Sequence, residues 1–200
     1  MNTFLKLAIT ALCAFIPCKA NKMCSCPRQD YLEGLPDHLE YRSAKDFLTS
    51  RETLYLKYLS VTVSISGIQC VTSTLRGAVK LPEIPRWIYY TDATSPKKRE
   101  KKAITLYMSN ETYFTTEDFP QIGHTFPIVF ADSKCMIYYI LKDSVFGNLG
   151  CALWVKARSK DSPLLHCQLI YLFFCDTSFK EVYNKEACDD LVTESEKPST

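Results

Sequence analysis

The sequence predicts a mainly β protein, a sandwich or up-and-down barrel of about eight short strands with a helix after it. Three observations carry that expectation. Segments that alternate apolar and polar residues, or that are rich in β-branched and aromatic ones, recur at short intervals between Thr53 and Lys156. Turn or charge clusters separate them at Leu81-Pro82-Glu83, Ser95 to Lys102, Ser109-Asn110 and Lys142-Asp143-Ser144. One clear helix start stands near the end, at Asp161-Ser162-Pro163.

Composition sets the frame for the elements. The chain has 200 residues, 46% hydrophobic and 23% charged, with only 6 Gly and 10 Pro, which excludes collagenous and wholly disordered chains. Its 24 Lys+Arg against 22 Asp+Glu give a net charge of +2, too little to steer it onto nucleic acid or an anionic membrane.

The first element is Met1 to Ala20: Lys6, an apolar run from Leu7 to Ile16, then Pro17-Cys18-Lys19-Ala20, the pattern of a secretory signal. The run is too short to span a bilayer, and no later one reaches that length. Removal of 1–20 takes Lys6 and Lys19, and with them the net +2; it also takes Cys13 and Cys18, leaving eight of the ten cysteines. An even number in an oxidising compartment favours disulfides over metal. Zinc fits poorly, because Cys24-Ser25-Cys26 has no second pair at zinc-ribbon spacing and His38, His124 and His166 are scattered.

Residues 21–43 read as a cysteine-containing arm, followed by a domain over 44–192 and a disordered tail over 193–200. Ala44 to Arg51 suits a short helix. Thr53 to Val71 alternates as one long or bent strand that Gly67 interrupts. Further strands are expected at 72–80, 86–91, 103–109, 112–115, 126–131, 134–141 and 151–156, with the basic run 95–102 as a solvated hairpin loop, since no aromatic residues interleave it. Ser162 as N-cap and Pro163 at the first helical position open a helix through Phe173. That helix is apolar on more than one face, so it should be largely covered. A short strand near Glu181–Asn184 and a solvated tail from Val192 follow. Asn110-Glu111-Thr112 is a glycosylation sequon where a loop is expected.

The stretch Asp132-Ser133-Lys134-Cys135-Met136-Ile137-Tyr138-Tyr139, then Cys151-Ala152-Leu153-Trp154-Val155, then Pro163 with Cys167, Cys175, Val182-Tyr183 and Cys188 resembles the C-terminal half of the tick salivary lipocalins, the histamine-binding protein family. The upstream Gln69-Cys70-Val71 matches as well, whereas 72–125 contributes little. The resemblance implies an eight-stranded antiparallel lipocalin barrel with a C-terminal helix outside, an internal pocket for a small host mediator, and no catalysis or cofactor. It also implies the pairs Cys70–Cys188, Cys135–Cys167 and Cys151–Cys175, out of the many that eight cysteines allow. Cys24 and Cys26 are left over, with a mutual bond and a bond to another chain both open.

Side-chain parity gives partial independent support. If Cys151 points outward, Ala152 and Trp154 point inward; if Cys135 points outward, Met136, Tyr138 and Ile140 point inward. Phe126, Ile128 and Phe130 complete the expected ligand-binding set. Histamine-binding members hold an amine with inward carboxylates, commonly in a Cys-Glu-Leu-Trp motif, but here the Glu position is Ala152. Neither Phe126–Ala131 nor Val61–Cys70 offers an acid, although Asp92 or Glu111 could face inward. An uncompensated buried cation is penalised by kilocalories, so the pocket suits an apolar or lipid ligand better than a biogenic amine.

The expected product is therefore a secreted, extracellular monomer that sequesters a small host mediator, with no nucleic-acid or membrane partner. The alternative is a scaffold barrel that binds a host protein through its surface. Enzyme chemistry has little support: G-x-S-x-G, H-E-x-x-H and C-x-x-C are all absent, and His166 reads as a surface histidine.

Overall fold

A computed structural model of the chain describes residues 43–63, 65, 67–92, 94–141, 150–175 and 178–195. The expected signal, the arm up to residue 42, Cys24 and Cys26 lie outside the described residues.

Helix α1 (Ala44–Leu48) starts at Ser43, whose Oγ accepts the Asp46 N–H at 3.0 Å, and buries Ala44, Phe47 and Leu48. Eight strands then follow: β1 (Leu54–Ser60), β2 (Ile68–Leu75), β3 (Glu83–Asp92), β4 (Ser95–Tyr107), β5 (Tyr113–Thr115), β6 (Thr125–Ala131), β7 (Cys135–Ile140) and β8 (Gly150–Lys156). Each pairs antiparallel with the next, β8 pairs with β1, and Leu54↔Ser73 and Tyr55↔Thr72 join β1 to β2. The result is a closed eight-stranded antiparallel barrel, the fold class that the resemblance implied.

The closing β1–β2 contact is short because β2 bends away. Its register against β3 shifts between Gln69 and Thr72, where Cys70 sits at φ 52, a left-handed conformation rare outside glycine. The freed edge of β1 takes a ninth strand, β9 (Phe179–Glu181), through Tyr58↔Glu181 and Ser60↔Phe179, and the Cys70 N–H donates to the Val182 carbonyl.

Several expectations need correction. Thr53–Val71 is two strands: Val61, Val63 and Ile65 belong to the turn region between β1 and β2, so the alternation there is not strand pairing. The basic run is not a loop but the first half of β4, paired to β3 through Lys101↔Tyr89 and Arg99↔Thr91. Aromatic rings do accompany it, from the neighbouring strand: Lys101 Nζ lies 4.0 Å from the Trp87 ring centre and the Arg99 guanidinium 5.0 Å from that of Tyr89. A run read along one strand misses partners that only sheet register supplies.

Helix α2 (Leu165–Cys175) begins two residues after Pro163. It lies on β7 and β8, held by Cys135–Cys167 and Cys151–Cys175, while Cys70–Cys188 ties β2 to a third helix, α3 (Lys185–Ser195). These are the three pairs that the resemblance implied. The expected coverage of α2 is not found: Cys167, Tyr171 and Cys175 are buried, but Leu165, Leu169 and Phe173 are more than 60% exposed. Two covalent ties and the Tyr171 hydroxyl, bonded to Ser60 Oγ and the Cys151 carbonyl, fix this helix without burial of its whole apolar girth. Helix α3 runs three residues into the stretch expected as tail, and 196–200 lie outside the described residues.

Candidate functional site

The barrel encloses a cavity of ≈ 220 Å³. Its base is at the Leu54 end of β1, where Leu48 of α1 closes the floor, with Leu54, Leu56 and Val71 around it. The opposite end lies under the loop 116–124 between β5 and β6, which contributes Thr116, Phe119, Gln121 and Ile122. Gln121 is exposed and Phe119, Ile122 and Lys102 are half-buried, so the cavity meets water here. Gly123 lets this loop approach the end of β7: at φ 113 it occupies a conformation that L side chains avoid, and a Cβ on it would lie 2.4 Å from the Leu141 carbonyl oxygen.

Six of the residues expected inside line this cavity: Phe126, Met136, Tyr138, Ile140, Ala152 and Trp154. Parity set by the outward cysteines of β7 and β8 explains five of them. Ile128 packs against the apolar core from β6 but does not line the cavity. Phe130 is turned out, its ring 6.2 Å from that of His166 on α2. The cause is a register irregularity between Ile128 and Phe130 against β7, which shifts the alternation so that Ala131, not Phe130, joins the inner cluster.

Aromatic rings form the wall between base and outer end. Phe114 stacks on Phe126 at 5.1 Å, and Tyr138 meets both edge-on at 5.0 and 5.7 Å. The Trp154 Nε1–H donates to the Tyr138 hydroxyl at 3.0 Å. Burial pushes that hydroxyl up to about 12, so it stays a neutral donor at physiological pH.

The charged lining is wholly cationic among the described residues: Arg86 and Lys102, with no carboxylate. Arg86, 1% exposed, donates from Nε to Ser73 Oγ at 2.7 Å, from Nη2 to the Ser73 carbonyl at 3.1 Å, and from Nη1 to the Leu48 carbonyl. Burial lowers its pKa to about 10, which leaves it charged at neutral pH. Lys102 donates to the Asp118 carbonyl and lies 4.4 Å from the Phe119 ring centre. The Asp118 carboxylate is turned to its own loop and β4, accepting the Thr105 N–H at 2.8 Å and the Thr116 hydroxyl at 3.2 Å. Sequence reading missed both cations, yet a signal existed. Arg86 alternates with Ile84, Ile88 and Tyr90, and Lys102 with Ile104 and Leu106, so each occupies an inward position on its strand.

The two acids considered as inward candidates are elsewhere. Asp92 accepts the Thr94 N–H and hydroxyl at 2.8 Å each, and these bonds lower its pKa. Glu111 accepts from Ser43 Oγ and the Lys45 N–H beside α1. Asn110 is exposed, its Oδ1 bonded to the N–H and hydroxyl of Thr112. Outside the barrel, Asp132, Cys135, His166 and Cys167 bring their donor atoms within 4.8 Å of one another. Both sulfurs are spent on the Cys135–Cys167 disulfide, which leaves a His166–Asp132 pair at 2.9 Å.

Among the described residues, no helix is long and apolar enough to cross a membrane. A search of curated protein sequences finds no match. Solved structures share the fold. Japanin from Rhipicephalus appendiculatus, solved bound to cholesterol, is 17% identical with a TM-score of 0.59, over 70% of this chain and 97% of that one. Insecticyanin from the tobacco hornworm Manduca sexta is 9% identical with a TM-score of 0.55, over 74% and 85%. Lobster apocrustacyanin A1 is 14% identical with a TM-score of 0.52, over 88% and 95%. The family model described as tick histamine binding protein matches residues 33–190, the whole barrel and both C-terminal helices up to Asp190, and the chain belongs to that family of ligand-binding lipocalin barrels.

Proposed function

We propose that this protein is secreted and sequesters a small, largely apolar mediator inside the barrel, held by Trp154, Tyr138, Met136, Ile140, Phe126 and Ala152. The observation that carries the reading is the lining: apolar and aromatic walls, two cations and no carboxylate among the described residues. An ammonium such as that of histamine or serotonin would enter a cavity already positive, and ring contacts worth about 0.5–2 kcal/mol do not offset that repulsion and its desolvation. Burial of an acyl chain or fused-ring skeleton gains ~0.8 kcal/mol per CH₂ with no ion pair required. That a barrel of this fold, japanin, was solved with cholesterol fits a cavity of this character.

A chain that acts by sequestration has no use for a catalytic group, and the reading includes none. We take the chain as a monomer with its leader 1–20 removed and Asn110 open to glycosylation. The test is native mass spectrometry of protein from a eukaryotic secretion host, followed by calorimetry with histamine, serotonin and an eicosanoid. Lipid affinity above amine affinity is expected; submicromolar histamine binding would overturn the pocket reading. Ligand binding left intact by Trp154→Ala would show that the barrel interior is only core.

The second reading, a barrel that acts through its surface on a host protein, has one observation on its side, the apolar outer face of α2. Absence of any small ligand in both experiments would favour it.

A further inference from the structure

We propose that the mediator is an acidic amphiphile whose tail fills the barrel and whose carboxylate is held by Lys102 under the 116–124 loop. This rests on the reading of the barrel as a pocket for an apolar ligand and adds a head group and a direction to it.

Charge comes first. A lysine on the inward parity of β4, beside Ile104 and across from Ile88 and beneath a loop, carries a desolvation cost that an isoleucine there would not. Among the described residues Lys102 makes no ion pair: Asp118 spends its carboxylate on the Thr105 N–H and the Thr116 hydroxyl, and Glu100, two residues back on β4, pairs with Lys98 at 2.8 Å. Among the described residues the ammonium has a single acceptor, a backbone carbonyl, which leaves two of its three N–H bonds for a ligand.

Position decides between the two lining cations. Arg86 is 1% exposed, and its three hydrogen bonds to Ser73 and Leu48 tie α1 to β2 and β3, so its geometry is spoken for by the fold. A carboxylate at that depth would lose all its water. Lys102 sits where exposed Gln121 marks the solvent end, so a head group there keeps part of its hydration while the tail takes the apolar base. Phe119, 4.4 Å from the ammonium, orients it and shields one side of the ion pair.

The experiment uses the secreted full chain and three probes of one chain length: lauric acid, lauryl alcohol and laurylamine, titrated by calorimetry at two salt concentrations. The acid should bind roughly tenfold tighter than the alcohol, as fits one charge-assisted contact at a half-buried site, and the amine weakest. Lys102→Met should abolish the acid's advantage over the alcohol, and Lys102→Arg should keep it; salt should weaken only the acid. Equal binding of acid and alcohol by the unaltered protein overturns the proposal but leaves the pocket reading intact. An acid preference that survives Lys102→Met with an unchanged circular dichroism spectrum overturns it too, and places the head group elsewhere. Failure of all three probes to bind takes down the pocket reading and the proposal together.

Discussion

The barrel interior carries two cations one step apart across the β3–β4 pairing, Arg86 beside Ile104 and Lys102 beside Ile88, and they are held in opposite ways. Toward the base, three donor nitrogens of Arg86 meet neutral acceptors on two elements, Ser73 in β2 and Leu48 at the end of α1. Toward the solvent end, Lys102 has a single backbone acceptor, on a loop. A buried guanidinium with each of its three nitrogens engaged acts as a clamp, because any movement of α1 strands its donors in an apolar medium. An ammonium with spare donors is free to trade partners. The same sign of charge is thus structural at one position and available for chemistry at the other, and the difference lies in the partners.

The largest effect should come from removal of the clamp. Arg86→Leu deletes the charge but strips the Leu48 carbonyl and the oxygens of Ser73 of the donor that meets them, at a cost of about 2–4 kcal/mol. Urea unfolding should show a lower midpoint with an unchanged slope, and hydrogen exchange should quicken in α1 first. Full stability in Arg86→Leu would mean that the base is sealed by Phe47 and Leu48 packing alone.

The loop end should respond differently to an insult of similar size. In Gly123→Ala the Cβ meets the Leu141 carbonyl and the residue is forced from φ 113, a conformational cost of about 1–2 kcal/mol. Because only the 116–124 loop bears it, the expected outcome is a faster ligand off-rate and faster exchange of loop amides, with the midpoint of global unfolding nearly unmoved. A large drop in global stability would show that loop and barrel unfold as one unit, and the contrast between the ends would fail.

A comparison within β6 sharpens the inside–outside boundary. Phe126→Ala removes a ring that stacks on Phe114 and lines the cavity, so it should weaken ligand binding. Phe130→Ala removes a buried ring that faces α2, so it should cost stability, about 3 kcal/mol, and leave binding unchanged. Equal loss of binding in both would mean that the irregularity between Ile128 and Phe130 does not turn the strand in solution.

Much of this architecture was legible because alternation and turn chemistry are local. β3 and β5 to β8 lie close to where the pattern put them, and the inward set on β7 and β8 follows from one fact each, an outward cysteine. What was not legible depends on contacts far apart in sequence. The turn region after Ser60 that cuts Thr53–Val71 into two strands, and the bend at Cys70 within β2, leave β1 paired to β2 at one end and to β9 at the other. The rings over the basic run come from β3 through the sheet. Phe130 faces outward because one residue of irregularity reverses parity, and no residue type announces it. Arg86 and Lys102 were hidden by a habit of reading: a cation on an alternating strand is assigned to solvent, and only its parity says otherwise.

The smallest effect is expected at Tyr138, which sits between the two ends. Burial raises its hydroxyl to about 12, against 10.0 for the free group, and the Trp154 N–H donated to it works in the opposite direction. The unfolded chain therefore loses this proton at lower pH than the folded one. The sign follows: the native state holds the proton more tightly, so its contribution to stability is complete below about pH 10 and is lost as the pH rises toward about 12. In Tyr138→Phe that segment of alkaline destabilisation should shrink, while at neutral pH the cost should stay near 1 kcal/mol, the worth of one hydrogen bond to the Trp154 indole. Titration of tyrosinate absorbance should show one late-ionising tyrosine fewer in the variant. Loss of a normally ionising tyrosine in its place would put the Tyr138 hydroxyl in water, and with it this wall of the cavity.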